Sequence, residues 1–384
     1  MTHQFKHKIM KKTILSVALL AFVFSACNKE DIIIEKPTLP VATSYESANY
    51  AANTAQQLDL RTRMATLVSK AKSVRTAGVS VTRQELLDLY TSGSPALQAA
   101  ITSYYNNVLA SFDGYFQIIE DASAGGSYVP GEPAGQGGYF EGRVFDEFGI
   151  EPDEVIDKGM YGAVLFNAAT AFMNSNISLE DVDRLVALYG ANPTFPNSGS
   201  SNVSQPDLFM ANYAARRDKN DGNGLYSQFK NAALRLRTYI AGGTAYQDER
   251  NTALNDLRLS WEKASAATVI NYLHGAIGKF SLTNPSNADI ASGLHSYSEG
   301  VGFIRGFKTI PQTFKKITDA QIDEILNLMN APSGANPSTY TFVTDAFNQV
   351  PKLQTAITRL QSIYSFSNQE IEDFKKNWVT EQGR

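Results

Sequence analysis

Two histidines lie beyond the first 26 residues, His274 and His295, and their neighbours set the chemistry that the chain can support. His295 precedes Glu299 by four residues in Gly293-Leu294-His295-Ser296-Tyr297-Ser298-Glu299, so on a helix the two side chains leave one face about 6 Å apart at Cβ and can serve a single cation. Two ligands do not complete a site. The others must come from a facing helix, and Glu262 in Trp261-Glu262-Lys263 is the candidate partner carboxylate. Two plainer readings stand beside this one. His295 and Glu299 could bond each other or a buried backbone group, and Glu262 could be an exposed helical acid. Ser292, Gly302 and Gly306 continue the same face. Small residues there either leave room for a ligand or admit another helix closely. Gly300, Gly302 and Gly306 each cost a helix about 1 kcal/mol relative to alanine, which a sequence accepts where something must approach the backbone.

Several chemistries are excluded or disfavoured. No His-Glu-x-x-His pair is present, and no Gly-x-Ser-x-Gly elbow follows a strand. His274 beside core-facing Leu273 reads as a half-buried, hydrogen-bonded residue. Asp218 to Gly224 (DKNDGNG) resembles the start of a calcium loop, but position 5 is Gly222 and position 12 is Phe229, so the anchoring carboxylate is missing and a polar interhelical turn is expected. The acids between Glu141 and Glu154, among them Asp146, Glu147, Glu151 and Asp153, read as a solvated loop and the acidic first turn of a helix.

The elements that must position these groups are helices. Leu60, Met64, Leu67, Val68, Ala71 and Val74 recur at three- and four-residue steps, as do Leu257, Trp261, Ala264, Val269, Leu273, Ile277 and Phe280. The second series predicts a helix from Tyr246 to Phe280, about 50 Å long. Thr82-x-x-Glu85, Thr318-x-x-Gln321 and Ser367-x-x-Glu370 have capping-box spacing, with Ser178-x-x-Asp181 a weaker variant, while Gly190, Gly242 and Gly243 are candidate stops. The expected fold is all-α, a helical bundle over residues 44–384, with Gly242-Gly243 dividing sub-bundles 44–243 and 244–384. Gly125 to Gly142, with seven glycines and two prolines, predicts a long loop without regular structure. Its aromatic residues Tyr128, Tyr139 and Phe140 suit an ordered loop, and its glycines suit a flexible one. Asn192 to Asn202 reads as a second break.

The N-terminus bears on compartment. Lys11-Lys12, the apolar run Ile14 to Phe24 and Ser25-Ala26-Cys27 have the form of a signal peptide over residues 1–26, with an apolar segment too short to span a bilayer. Ser25-Ala26-Cys27 resembles a lipobox, which implies a lipidated Cys27 and a tether over residues 27–43 containing Pro37 and Pro40. Asn28-Lys29-Glu30-Asp31 resembles the export signal of Bacteroidetes surface lipoproteins, so an outer-membrane lipoprotein is expected, with the cell surface favoured over the periplasmic face. Cys27 is the chain's one cysteine, so no disulfide is expected and the core alone must stabilise the fold. Loss of residues 1–26 removes four of the 34 basic side chains and none of the 38 acidic ones, taking the net charge from −4 to about −8. This excludes the basic footprint of a nucleic-acid binder.

Val155 to Phe172 (VIDKGMYGAVLFNAATAF), Trp261 to Tyr272 (WEKASAATVINY) and His295 to Phe303 (HSYSEGVGF) resemble the DUF4856 family of Bacteroidetes lipoproteins, which carries no established activity. More distantly, Gly293-Leu294-His295 resembles the first half of the Gly-x-His-x-x-Glu hallmark of imelysin-like proteins, helical-bundle lipoproteins associated with iron uptake. Here Ser298 stands at the position of the hallmark glutamate and the acid is Glu299. That likeness implies an imelysin-like two-bundle fold with His295 and Glu299 in a cleft. The expected function is capture of a divalent metal, iron or a metal-bearing ligand, anchored to the outer membrane as an accessory to TonB-dependent uptake machinery and without catalysis. The alternatives are a metal-dependent hydrolase or peptidase, in which His295, Glu299 and further carboxylates hold a water-activating ion, and a glycan-capture lipoprotein resembling the SusD type.

Overall fold

A computed structural model describes residues 36–384; the signal segment, Cys27 and the export signal after it lie outside the described residues. Most of the chain is helical, as the apolar periods require. The helices are α1 (Tyr50–Lys72), α2 (Arg83–Thr91), α3 (Ser103–Ala110), α4 (Tyr115–Ala124), α5 (Pro152–Met160), α6 (Asn167–Thr170), α7 (Leu179–Tyr189), α8 (Phe209–Arg217), α9 (Leu225–Ala241), α10 (Gln247–Phe280), α11 (Asn287–Gly306), α12 (Asp319–Leu328), α13 (Thr341–Thr344), α14 (Ala346–Tyr364), α15 (Asn368–Asp373) and α16 (Trp378–Glu381). The fold is an all-α helical bundle. No helix among the described residues is long and apolar enough to cross a membrane.

The bundle is organised by α10, whose 34 residues match the predicted long helix and rise about 50 Å. Leu257, Trp261, Ala264, Val269, Leu273 and Phe280 are buried along it, and α8, α9, α11 and α14 pack around it. The helices α9 and α10, on either side of Gly242-Gly243, lie against each other, and residues 40–384 form one compact unit. All four capping boxes form, including Ser178 with Asp181, because a hydroxyl at N-cap and an acid or amide at N3 satisfy two backbone N–H groups locally. Ser286 with Asp289 makes a fifth, at the start of α11. Gly190 ends α7 in the left-handed conformation, φ 97°.

The glycine-rich segment departs from the expectation of no regular structure. Gly138–Phe140 (β1) and Arg143–Phe145 (β2) form an antiparallel hairpin pairing Gly138 with Phe145, Tyr139 with Val144 and Phe140 with Arg143. Glu141 and Gly142 have φ of 47° and 80°, as a two-residue hairpin turn requires. Tyr128, Phe140 and Phe145 pack edge to face or tilted with centroids 5.4 to 6.3 Å apart, so the loop is ordered and packed. The glycines supply turns, and the aromatic side chains supply the burial that holds them.

Two helices meet unusually closely. The stripe Gly302 and Gly306 on α11 faces α5 and the π-helical turn Tyr161–Phe166 that continues it. A Cβ on Gly306 would lie 2.3 Å from the carbonyl oxygen of Gly159, and one on Gly162 would lie 2.6 Å from the carbonyl carbon of Gly306. Of the two uses open to small residues on this face, helix approach is the one realised. Contacts 151 to 298, 154 to 302 and 159 to 306 advance together, so α5 and α11 run parallel.

Candidate metal centre

The close α5–α11 approach sets His295 against the acidic start of α5. His295 Nδ1 lies 2.6 Å from Glu151 Oε2 and 3.9 Å from Glu154 Oε1, while Nε2 lies 3.4 Å from Glu299 Oε2. Glu151 precedes Pro152, the first residue of α5, and Glu154 follows one turn later, so both carboxylates reach the same side. One ligand atom from each of Glu151, Glu154 and His295 falls within a sphere in which all lie within 4.8 Å of one another. Both carboxylates are buried, and the His295 side chain keeps 20% exposure, which makes it the outlet of the cluster. Ser298 accepts the Glu151 N–H at 2.9 Å and donates to Leu294 O, which pins the first turn of α5 to α11.

Basic groups surround the acids. Arg75, in the turn after α1, brings its Nη2 to 3.1 Å from Glu151 Oε1, to 2.7 Å from Asp153 Oδ2 and onto Glu154 Oε1. Lys72 reaches Asp157 at 2.5 Å and Glu154 at 3.4 Å. Buried Lys158 lies 2.7 Å from Asp157, 3.2 Å from Glu154 and 3.3 Å from Glu299. Arg143 from β2 approaches Glu151 at 3.5 Å. Five carboxylates, Glu151, Asp153, Glu154, Asp157 and Glu299, thus face four cations. Glu151 Oε1, Asp153 Oδ1 and Glu154 Oε2 remain buried without a hydrogen bond, touched only by the charges of Arg75 and Lys158 or by none. Asp153 Oδ1 alone meets no cation, and a metal ion at Glu151 and Glu154 would supply the coordination that the ion pairs leave incomplete.

Protonation follows from burial. Burial, reinforced by the charge of Glu154, pushes Glu151 up to about 8. Burial and the Glu151 charge raise Asp153 well above the usual carboxylate range. Burial works against the Glu154 anion as well, but Lys158, Lys72 and Arg75 outweigh it and hold this carboxyl low. Burial lowers His295, against the pull of Glu299 and Glu154. Both directions favour a neutral pair, in which the Glu151 carboxyl donates to Nδ1 and the ring N–H at Nε2 points to Glu299. Burial raises Glu299 too, opposed by Lys158, and Tyr272 hydrogen-bonds its carboxylate. A carboxylate on the far nitrogen of a ligating imidazole fixes the tautomer and strengthens the ligand. The arrangement gives Glu299 that supporting part and leaves ligation to Nδ1, Glu151 and Glu154.

Of the three residues singled out in the sequence, His295 and Glu299 come together and Glu262 lies elsewhere. The Glu262 carboxylate accepts Lys316 N–H and Ile317 N–H at 2.7 to 2.9 Å and the Tyr364 hydroxyl at 2.7 Å, tying the segment before α12 and the end of α14 to α10. Its oxygens are used by structure. The acidic run around Glu151 is not solvated as expected: Glu151, Asp153 and Glu154 are 0 to 1% exposed. The sequence carried no signal of this burial, since Glu151, Glu154 and Lys158 share one face of α5 just as a solvated face would. His274 is half-buried, but its Nε2 lacks the expected partner. Asp218 is the hinge of a polar turn between α8 and α9, accepting Asn220 N–H at 2.6 Å and Ser227 N–H at 2.8 Å.

Comparison with protein-family models, with curated proteins and with solved structures finds no match to this chain.

Proposed function

We propose that the protein is a lipid-anchored outer-membrane binding protein that takes up one divalent transition-metal ion at His295 Nδ1, Glu151 and Glu154, as an accessory to metal uptake. The observation that carries this reading is the convergence of three ligand atoms of mixed nitrogen and oxygen type within 4.8 Å, two of them on buried carboxylates that leave an oxygen without a hydrogen bond. One imidazole with carboxylates suits zinc or ferrous iron better than calcium, which prefers an all-oxygen shell. Arg75 occupies the carboxylates in the metal-free protein, so binding displaces a guanidinium rather than opening bare charge. The lipid anchor rests on the lipobox-like Ser25-Ala26-Cys27, and the link to iron uptake rests on the imelysin likeness of the His295 segment.

A metal-dependent hydrolase is the second reading, favoured by the ligand count: three protein ligands with a free fourth position are the pattern of catalytic zinc sites.

Metal content by plasma mass spectrometry, after exposure to zinc, ferrous iron and calcium, tests the proposal on the chain from Asn28 onward. The parent is expected to hold one zinc or iron per chain, with His295→Ala and Glu154→Gln both losing it. Glu262→Gln is expected to keep it while melting lower, because its carboxylate holds backbone far from the site. Metal retained in Glu154→Gln, or absent from a folded parent, sinks the assignment. Turnover of an ester or peptide by the loaded protein, abolished in His295→Ala, moves the conclusion to the hydrolase.

A further inference from the structure

At the C-terminal end of α11, away from the His295 cluster, a cavity of about 740 Å³ opens between α3, α4, the glycine-rich loop and the segment 332–337. Its size falls in the range of roughly 300–1,000 Å³ that small-molecule sites occupy. Tyr104, Tyr115 and Phe148 contribute aromatic surface, and Asp113, Asp121, Asp146 and Glu147 contribute carboxylates. The one basic side chain in the lining is Arg305, which is buried and already engaged. Its Nη1 donates to the Tyr115 hydroxyl at 2.8 Å, and its Nη2 donates to the carbonyls of Ala331 at 3.2 Å and Pro332 at 3.5 Å.

The acids are not used in the same way. Asp121 accepts from Gln117, and Asp146 gives one oxygen to the N–H groups of Phe148 and Ile150 at 2.9 and 2.8 Å. Among the described residues Asp113 and Glu147 make neither a hydrogen bond nor an ion pair, and no lysine or arginine nitrogen pairs with any of the four. Burial raises the Asp146 carboxyl to about 7, so a positive charge placed beside it would draw off its proton. An anionic ligand would meet carboxylates and an Arg305 whose Nη groups face the backbone and Tyr115. A neutral ligand would leave the carboxylates uncompensated. A cation joined to an apolar group satisfies both halves of the lining: the carboxylates pair with the charge, and Tyr104 and Tyr115, which already carry Lys308 and Arg305 over their rings at 5.2 and 5.9 Å, take the apolar part.

We propose that this cavity binds small organic amines, the ammonium group among Asp113, Asp146 and Glu147 and the apolar portion against Tyr104, Tyr115 and Phe148. The site is independent of the metal centre. It also gives the glycine-rich loop a use, because Gly135 and Gln136 form part of its wall.

Isothermal titration of the purified full-length chain with phenethylamine, spermidine and tetramethylammonium tests this, with 2-phenylethanol as the neutral isostere of the first. At least one amine is expected to saturate at one per chain with Kd below about 1 mM, whereas 2-phenylethanol gives no saturable heat. Asp113→Asn with Glu147→Gln is expected to weaken the amine about threefold to tenfold, the loss of two charge partners that keep contact with solvent. Asp59→Asn with Glu180→Gln removes the same charge from distant exposed positions and is expected to change affinity less than twofold. His295→Ala is expected to leave amine binding intact. The proposal is overturned if no amine saturates, if 2-phenylethanol binds as well as phenethylamine, if the distant pair weakens binding as much as the cavity pair, or if His295→Ala abolishes it.

Discussion

Gly306→Ala is the sharpest perturbation of the α5–α11 contact on which the metal centre depends. The added Cβ would sit 2.3 Å from the carbonyl oxygen of Gly159, closer than the 3.0 Å that real Cβ atoms keep, and the atom it meets is backbone and cannot rotate away. The two helices must part by several tenths of an ångström or bend. Overpacking of this kind costs roughly 1–3 kcal/mol, and with backbone on both sides the upper end applies. Alanine returns about 1 kcal/mol in helix propensity, for a net loss of about 2 kcal/mol. At about 2.1 cal/mol/K of unfolding entropy per residue, a unit of roughly 345 residues changes Tm by about 1.4 °C per kcal/mol, so Tm falls by about 3 °C. Gly278→Ala, at an exposed position of α10, is the matched control, because nothing lies within 4 Å of its added Cβ. It keeps the propensity gain alone and raises Tm by about 1 °C. Scanning calorimetry of the two variants beside the parent reads the difference in sign, and a metal titration reads whether His295 and Glu154 have been drawn apart. A Gly306→Ala protein that melts at or above the parent refutes the close-approach account, and with it the reason given for the convergence of these side chains.

Two further outcomes follow from the charges. Arg75→Met strips the shared cation from Glu151, Asp153 and Glu154; breaking a buried ion pair costs about 3–5 kcal/mol, reduced to about 2 kcal/mol because Arg75 is 30% exposed, so the metal-free protein melts lower. The same variant should bind zinc more tightly, since no guanidinium must be displaced, and weaker binding in a folded Arg75→Met protein contradicts the assignment. His274, held down to about 4 by burial and by Lys375 against the ordinary 6.5, is neutral in the folded chain. Its contribution is complete above pH 6.5 and is lost as pH falls toward 4, by about 1 kcal/mol once its partial exposure is discounted. Urea unfolding at pH 7 and pH 4.5 should show less acid sensitivity in His274→Gln than in the parent, and an identical pH slope in both would remove His274 from the account.

What was legible in the sequence is what local interactions decide. The apolar series from Leu257 to Phe280 has the period of a buried helix whatever it packs on, and α10 runs over almost the predicted span. A hydroxyl with an acid or amide three residues on closes its two hydrogen bonds within one turn, so Thr82, Ser178, Thr318 and Ser367 each open a helix where the spacing puts it. The adjacency of His295 and Glu299 likewise follows from four residues of one helix. The partners of that pair were not legible, because carboxylates distant in sequence look alike until the helices dock. Glu262 and Glu154 both sit on helices lined with apolar residues; Glu262 spends its oxygens on the backbone of Lys316 and Ile317, and Glu154 meets His295. The glycine-rich segment was equally ambiguous, since its turns can order only around Tyr128, Phe140 and Phe145 once these find a surface to bury against.

By itself, then, the sequence determined the helices, their starts and the His295–Glu299 pair, all of which are settled within one or two turns of chain. The tertiary structure alone decided which acids are buried and which cation or imidazole each one faces. That choice turns on the parallel docking of α5 against α11, which is possible at this distance only because Gly162, Gly302 and Gly306 carry no side chain to hold the backbones apart.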